Sequence, residues 1–222
     1  FRELPDLSGM TSDAMDLLGI AGAVSASLLR PTDPRARLVG RALTIHNIAS
    51  EEPVAESVAK GVSLLGDMEA HNLAESGDVL VLQGVNLTSN MGAIMATIAK
   101  RQGEIGAIID GAVRDVDHSR EIGFPVWSAS VSPITGKWRV RTISINKPVT
   151  IQGVSVAPGD LVVADEVGIC FVPAARALEV LEWAHGIAKN EEVRLRAIHG
   201  GTPLTELIKP RTASRASANE KN

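Results

Sequence analysis

The chain has 222 residues, 45% of them hydrophobic, enough for one large domain with a helical appendage. Aromatic residues make up 3%, with no tyrosine, so the core must be built from Val, Ile, Leu and Ala. The 22 basic and 26 acidic side chains leave a net charge of -4, and no basic stripe with interleaved aromatics offers a nucleic-acid face. No apolar run is long enough to span a bilayer, and FRELPDLSGM lacks the charged-then-apolar order of a secretory signal. The expectation is a cytoplasmic protein with no membrane and no nucleic-acid partner.

In chain order, Thr11 to Leu18 reads as a short helix capped by Thr11 or Ser12 and stopped at Gly19. Ala21 to Leu29 is a connector with some helical or strand character, and Pro31 to Arg37 a polar loop. Leu38 to Ile48 is a strand with a glycine irregularity at Gly40. Glu51 to Glu75 is mainly helical, broken at Gly61 and Gly66, and Gly77-Asp78 turns into the strand Val79 to Gln83.

The most informative stretch runs from Asn86 to Asp115. A polar turn, Thr88-Ser89-Asn90, precedes an apolar run in which Ile94 and Ile98, and Met91 and Met95, fall four apart, as one buried helix face requires. Ser89 or Asn90 is a natural N-cap, and Gly103 a natural stop. Ile105 to Ile109 reads as a buried strand ending at Asp110-Gly111, with Arg114-Asp115 just beyond.

Val116 to Ile122 then predicts a short helix and Phe124 to Ser130 a strand, followed by the loop Ser132 to Trp138. Short strands follow at Arg139 to Ile145, Val149 to Ile151, Val154 to Val156, Leu161 to Ala164 and Gly168 to Val172. Pro173 opens a long helix from Ala174 to about His199, and the small polar tail from Pro210 predicts disorder. Alternating strands and helices followed by clustered short strands imply one α/β domain with a mixed sheet, residues 1–209, carrying a C-terminal helical arm, with 210–222 as tail.

The chemistry centres on a capped helix start, whose free N–H groups attract anions, tied through one helix and one strand to an Arg-Asp pair. Asp115 is suited to hold Mg²⁺ or Mn²⁺, which need few carboxylates when water and substrate oxygens complete the shell. Arg114 offers a planar fork for a carboxylate. The plainer reading of such a dipeptide is a surface ion pair. His118, three residues after Asp115, is either an acid–base group or a solvated helix residue, and His46 either reaches the site or lines the sheet. Cys170, the only cysteine, sits in an apolar run and reads as a buried strand residue. The hydroxyl-rich loop Ser130 to Arg139 can close over an anion or simply face solvent. Dinucleotide and P-loop glycine motifs, a GxSxG elbow and an S-adenosylmethionine loop are all missing.

The runs GAIIDGAVRD, GFPVW and VAPGDLVVADEVGICFVP, in this order, resemble the RraA-like family. That family includes class II 4-hydroxy-4-methyl-2-oxoglutarate / 4-carboxy-4-hydroxy-2-oxoadipate aldolases and members described as demethylmenaquinone methyltransferase-like. The likeness runs from Ser12 to Pro173. It implies a β/β/α swivelling domain, assembled as a homotrimer or homohexamer with sites at subunit interfaces. It further implies that Asp115 binds the divalent metal, that Arg114 binds a small carboxylate substrate, and that the backbone of Gly92, Ala93, Ile94 and Met95 contacts it. The aldolases carry an acid twenty-one positions before the arginine, where this chain has Ala93. They also borrow a glutamate from a neighbouring subunit, for which Glu191, Glu192 and Glu206 are the candidates. The implied activity is carbon–carbon lysis, by retro-aldol cleavage or oxaloacetate-type decarboxylation. The alternative is a non-catalytic binding protein that restrains a ribonuclease, as some RraA-like proteins restrain ribonuclease E.

Overall fold

The computed structural model describes residues 1–207, so the tail expected to be disordered lies outside the described residues. The chain opens with α1 (Leu7–Leu17), β1 (Ala23–Ser25), β2 (Arg30–Pro31) and β3 (Leu38–Ala49). Four crossover elements follow: α2 (Val54–Lys60) and α3 (Asp67–Leu73), then β4 (Asp78–Gln83) and α4 (Ala93–Arg101). β5 (Gly106–Val113), α5 (Val116–Glu121) and β6 (Val126–Val131) complete that half. The rest comprises β7 (Val140–Ile145), β8 (Val149–Ile151), β9 (Val154–Val156), β10 (Leu161–Ala164), β11 (Gly168–Val172), a 3₁₀ turn at Ala174–Arg176, α6 (Ala177–His199) and α7 (Leu204–Leu207).

Among the described residues, nine strands form one sheet in the order β1-β11-β10-β3-β4-β5-β6-β2, with β7 pairing on β3 across a register shift at His46/Asn47. β3, β4, β5 and β6 run parallel, and the flanking pairs are antiparallel. Alternation along each strand decides what each face covers. Val79 and Val81 of β4 point into one cluster with Trp127, Val162 and Phe171, roofed by the β8–β9 hairpin through Val149, Ile151 and Val156. Leu80 and Leu82 point the other way, against Ala70 of α3 and Ala96 and Ala99 of α4. On that same face α1 and α6 cover Val163, Cys170 and Val172. The result is hairpin, sheet and helices in three layers. The sheet curls enough for the Trp127 indole N–H on β6 to donate to the Asp165 carbonyl after β10, at 2.8 Å.

Several boundaries differ from the sequence expectation. α1 starts at Leu7, not Thr11, because the Asp6 carboxylate caps it by accepting from the Gly9 N–H at 3.2 Å. A side chain at Gly9 would collide with that carboxylate, so the glycine lets the cap close. The Thr11 hydroxyl instead donates to Leu7 O within the helix. β5 does not end at Asp110-Gly111 but continues to Val113, with a register irregularity against β6 between Ile109 and Ala112. Gly111 is required because a Cβ there would lie 2.6 Å from Asn90 Nδ2 and 2.8 Å from Val85 O. Asp110, read as a turn residue, accepts from the Gln152 backbone and side-chain amides and so pins the β8–β9 hairpin to the sheet. The long helix, the short helices α2 and α3 and the run of short strands fall where the sequence placed them.

Candidate functional site

A parallel sheet sends the loops after its strands to one edge, and ligands gather there. Here four such connections converge on a single cleft of about 330 Å³. Ser63 to Met68 contribute from the β3–β4 connection, Ser89 to Met95 from β4–α4, Arg114 and Asp115 from the end of β5, and Thr135 to Lys137 from beyond β6.

The β4–α4 loop is fixed by its own polar residues, which is why neither Ser89 nor Asn90 caps the helix. The buried Asn90 side chain accepts from Val85 N–H and donates to the carbonyls of Val85, Thr88 and Ala112. Ser89 donates its N–H to Ile134 O at 2.8 Å and its hydroxyl to Met91 O at 2.8 Å. Gly92 is the N-cap of α4 and carries no side chain to satisfy the first amide. Asp115 does that from another element: its Oδ2 accepts from the Ala93 N–H at 2.9 Å. The Ile94 and Met95 amides are the next N–H groups with no acceptor inside the helix. The expected buried face of α4 is rotated: Ala96 and Ala99 pack inward, whereas Ile94 is 71% exposed at the cleft.

Asp115 adopts φ 55° and ψ 40°, the left-handed conformation that Asp and Asn tolerate better than other non-glycine residues. That turn lets β5 end and α5 begin with no spacer, and it sends the carboxylate back over α4 rather than onto its own helix. Arg114 Nε stands 3.6 Å from the same Oδ2, and both side chains are roughly two-fifths exposed. Gly92 makes the approach possible: a Cβ there would lie 2.8 Å from Asp115 Oδ2 and 3.0 Å from Arg114 Nε. Thus Gly92, Ala93, Ile94, Met95, Arg114 and Asp115 surround one space.

Two further groups face it: Asp67, which the sequence did not single out, and Lys137, from the loop expected either to close over an anion or to face solvent. Asp67, at the first position of α3, is buried, and loss of hydration raises its carboxyl above the ordinary range. Its own and the Met68 amides, with the His71 ring, pull weakly the other way. The only sequence signal was an acid after Gly66 at a helix start. Lys137 lines the opposite loop, its ammonium 4.3 Å from the centre of the Trp138 ring.

Other candidates fall outside the cleft. His118 Nε2 lies 2.9 Å from the Thr97 hydroxyl, joining α5 to α4, and His46 lies in the β3 ladder. Cys170 is buried, with its thiol pushed up to about 12 chiefly by desolvation, so it is no nucleophile. Glu191 and Glu192 lie on the exposed far half of α6, and Glu206 on α7. Among the described residues no helix is long and apolar enough to cross a membrane.

A curled mixed sheet with a cleft at its carboxyl edge, where Arg-Asp faces a helix start, places the chain in the mixed α/β class. Residues 10–171 match the RraA-like profile described as Aldolase/RraA, and the chain belongs to that family. It is 30% identical over 207 residues to protein DlpA of Legionella pneumophila, covering 90% of this chain but only 31% of DlpA. It is 30% identical over 200 residues to a Halalkalibacterium halodurans protein provisionally named a 4-hydroxy-4-methyl-2-oxoglutarate aldolase, covering 89% and 86% of the two chains. Streptomyces coelicolor RraAS2, described as an unusual member of the RNase ES inhibitor RraA family, superposes with a TM-score of 0.73 at 27% identity. That superposition covers 86% of this chain and 92% of RraAS2.

Proposed function

We propose that the protein is a divalent-metal-dependent carbon–carbon lyase for small 2-oxo or hydroxy dicarboxylates, acting by retro-aldol cleavage or decarboxylation. The observation that carries this reading is the convergence of Arg114, Asp115 and the α4 amides on one cleft. The likeness to a chain named as an aldolase supports it.

The donor set fits a hard cation. Asp115 is a half-exposed carboxylate, and among the described residues no group of three or more His, Cys, Asp or Glu is placed to hold a metal. One carboxylate with waters and substrate oxygens suits Mg²⁺ or Mn²⁺, whereas zinc wants more nitrogen or sulfur. A bound metal would supply positive charge at the 2-oxo oxygen, where negative charge gathers as the C3–C4 bond breaks. Arg114 would hold the neighbouring carboxylate through its planar fork, and the Ile94 and Met95 amides would complete the anion's hydrogen bonds.

Ile94 lines the cleft exposed, and Leu87, Val131 and Ile134 are exposed on the segments leading to its other walls. Exposed apolar side chains gathered on neighbouring loops suit an interface. It supports a homotrimer or homohexamer in which a neighbouring copy closes the site. A second reading, a binding protein that restrains a ribonuclease, is favoured by Ala93, which brings no carboxylate where the aldolases have one.

Pyruvate release from a panel of 4-hydroxy-2-oxo diacids and oxaloacetate, with and without Mg²⁺, tests the lyase. Metal-dependent turnover that a chelator abolishes is expected. A folded oligomer that turns over nothing and binds no metal would sink the lyase reading and favour the binder.

A further inference from the structure

The lyase reading leaves one chemical task without a residue. Retro-aldol cleavage needs a base to take the 4-hydroxyl proton and an acid to return one to C3. Asp115 is given to the cation, and its Oδ2 also accepts from the Ala93 amide beside the Arg114 guanidinium. Ala93 has no titratable group, and His118 is joined to Thr97. Of the remaining cleft residues, Asp67 is a carboxylic acid and Lys137 an amine.

We propose that Asp67 is the acid–base residue of this cleft, supplying from the β3–β4 connection the carboxyl that position 93 lacks. The assignment rests on the lyase reading. Asp67 lies nine-tenths buried at the cleft wall, on a different connection from Arg114 and Asp115, so it can work on the substrate without competing for the cation. The titratable groups whose charges reach it are His71, one turn further along α3, and Glu69. Burial holds its carboxyl closer to neutrality than a surface aspartate, which suits a group that must both accept and donate a proton.

The step balances without an added reactant. The Asp67 carboxylate takes the 4-hydroxyl proton, C4 becomes a carbonyl, and the C3–C4 electron pair passes into the enolate of the 2-oxo acid. The protonated Asp67 then gives the same proton to C3, releasing pyruvate and regenerating the carboxylate. Decarboxylation of oxaloacetate breaks its C3–C4 bond with no hydroxyl to deprotonate, so that substrate needs only the second half.

The test compares Mg²⁺-loaded wild type with Asp67→Asn and Asp67→Glu on a 4-hydroxy-2-oxo diacid and on oxaloacetate. Asparagine keeps an oxygen for the Met68 amide; circular dichroism and oxalate affinity by calorimetry verify the fold and the cleft. Asp67→Asn is expected to lose about a hundredfold or more in kcat for the hydroxy acid, with KM and oxalate affinity within about threefold. Exchange of pyruvate methyl protons in D₂O falls in parallel, oxaloacetate turnover falls less, and Asp67→Glu recovers part of the loss. Equal cleavage and exchange in wild type and Asp67→Asn would overturn the assignment and leave the lyase standing. A wild type that binds oxalate but neither cleaves nor exchanges would overturn both.

Discussion

Asp115→Asn is expected to reduce kcat/KM about a thousandfold for any substrate the Mg²⁺-loaded protein turns over, a loss of about 4 kcal/mol in transition-state stabilisation. Asparagine is the informative replacement for a conformational reason. Position 115 sits at φ 55°, where Asn is tolerated and Ala is strained. Its amide oxygen can still accept from the Ala93 N–H, so the junction between β5 and α5 is kept while the charge goes. The variant should therefore retain wild-type unfolding temperature and lose metal affinity by calorimetry. Undiminished turnover would show that the cation, if used, is held elsewhere. A large drop in unfolding temperature would instead make Asp115 chiefly a structural cap for α4.

Glu104→Leu alone is expected to destabilise the fold by about 3 kcal/mol or more, because it strands a buried polar partner. The Glu104 and His71 side chains are at most 1% exposed and joined Oε1 to Nδ1 at 2.6 Å, while among the described residues Glu104 Oε2 and His71 Nε2 have no partner. Such a pair gives back little of the hydration it forfeits. Removing one member leaves the other with no partner, whereas the double replacement His71→Leu/Glu104→Leu exchanges two unsatisfied groups for packing. The double variant should therefore unfold near or above wild type. For a chain of this size, the single variants should melt roughly 6–12 °C lower. Thermal unfolding of the four proteins closes the cycle. Additive single losses in the double variant would mean that the two residues do not depend on one another.

Most strands were legible because alternation and β-branched runs name a buried face wherever the sheet is covered; the short edge strands β1 and β2, in segments read as connector and loop, were not. Val79 to Leu82 and Leu161 to Ala164 show this, and Gly103 shows the helix stop, with φ +96°. Boundaries set by contacts between distant residues were not legible. Nothing local to Asp110-Gly111 says that β5 continues, because the cause is the loop from Val85 to Asn90 packed across it. Asp160 and Asp165, within the stretch that carried the family resemblance, hold the fold rather than the cleft. Asp160 accepts from the Ala157 and Ala174 amides, and Asp165 from the Ser8 amide and hydroxyl. The Arg114-Asp115 pair stood out in the sequence, but its tie to Ala93 depends on a left-handed residue and a side-chain-free Gly92. Asp67 stayed hidden because its character comes from burial among segments far apart in the chain.

The lysine over Trp138 has an optical consequence. With no tyrosine present, ultraviolet fluorescence comes from three indoles. Trp127 is wholly enclosed and hydrogen-bonded, and Trp183 lies on α6 away from the cleft. Only Trp138 adjoins the cleft, capped by an ammonium that itself lines it. If an anion draws Lys137 inward, the expected result is a change in Trp138 emission with the other two indoles unmoved. Titration with candidate carboxylates would then rank them by how tightly they are held, independently of whether any of them reacts; unchanged emission would mean that Lys137 stays on the ring.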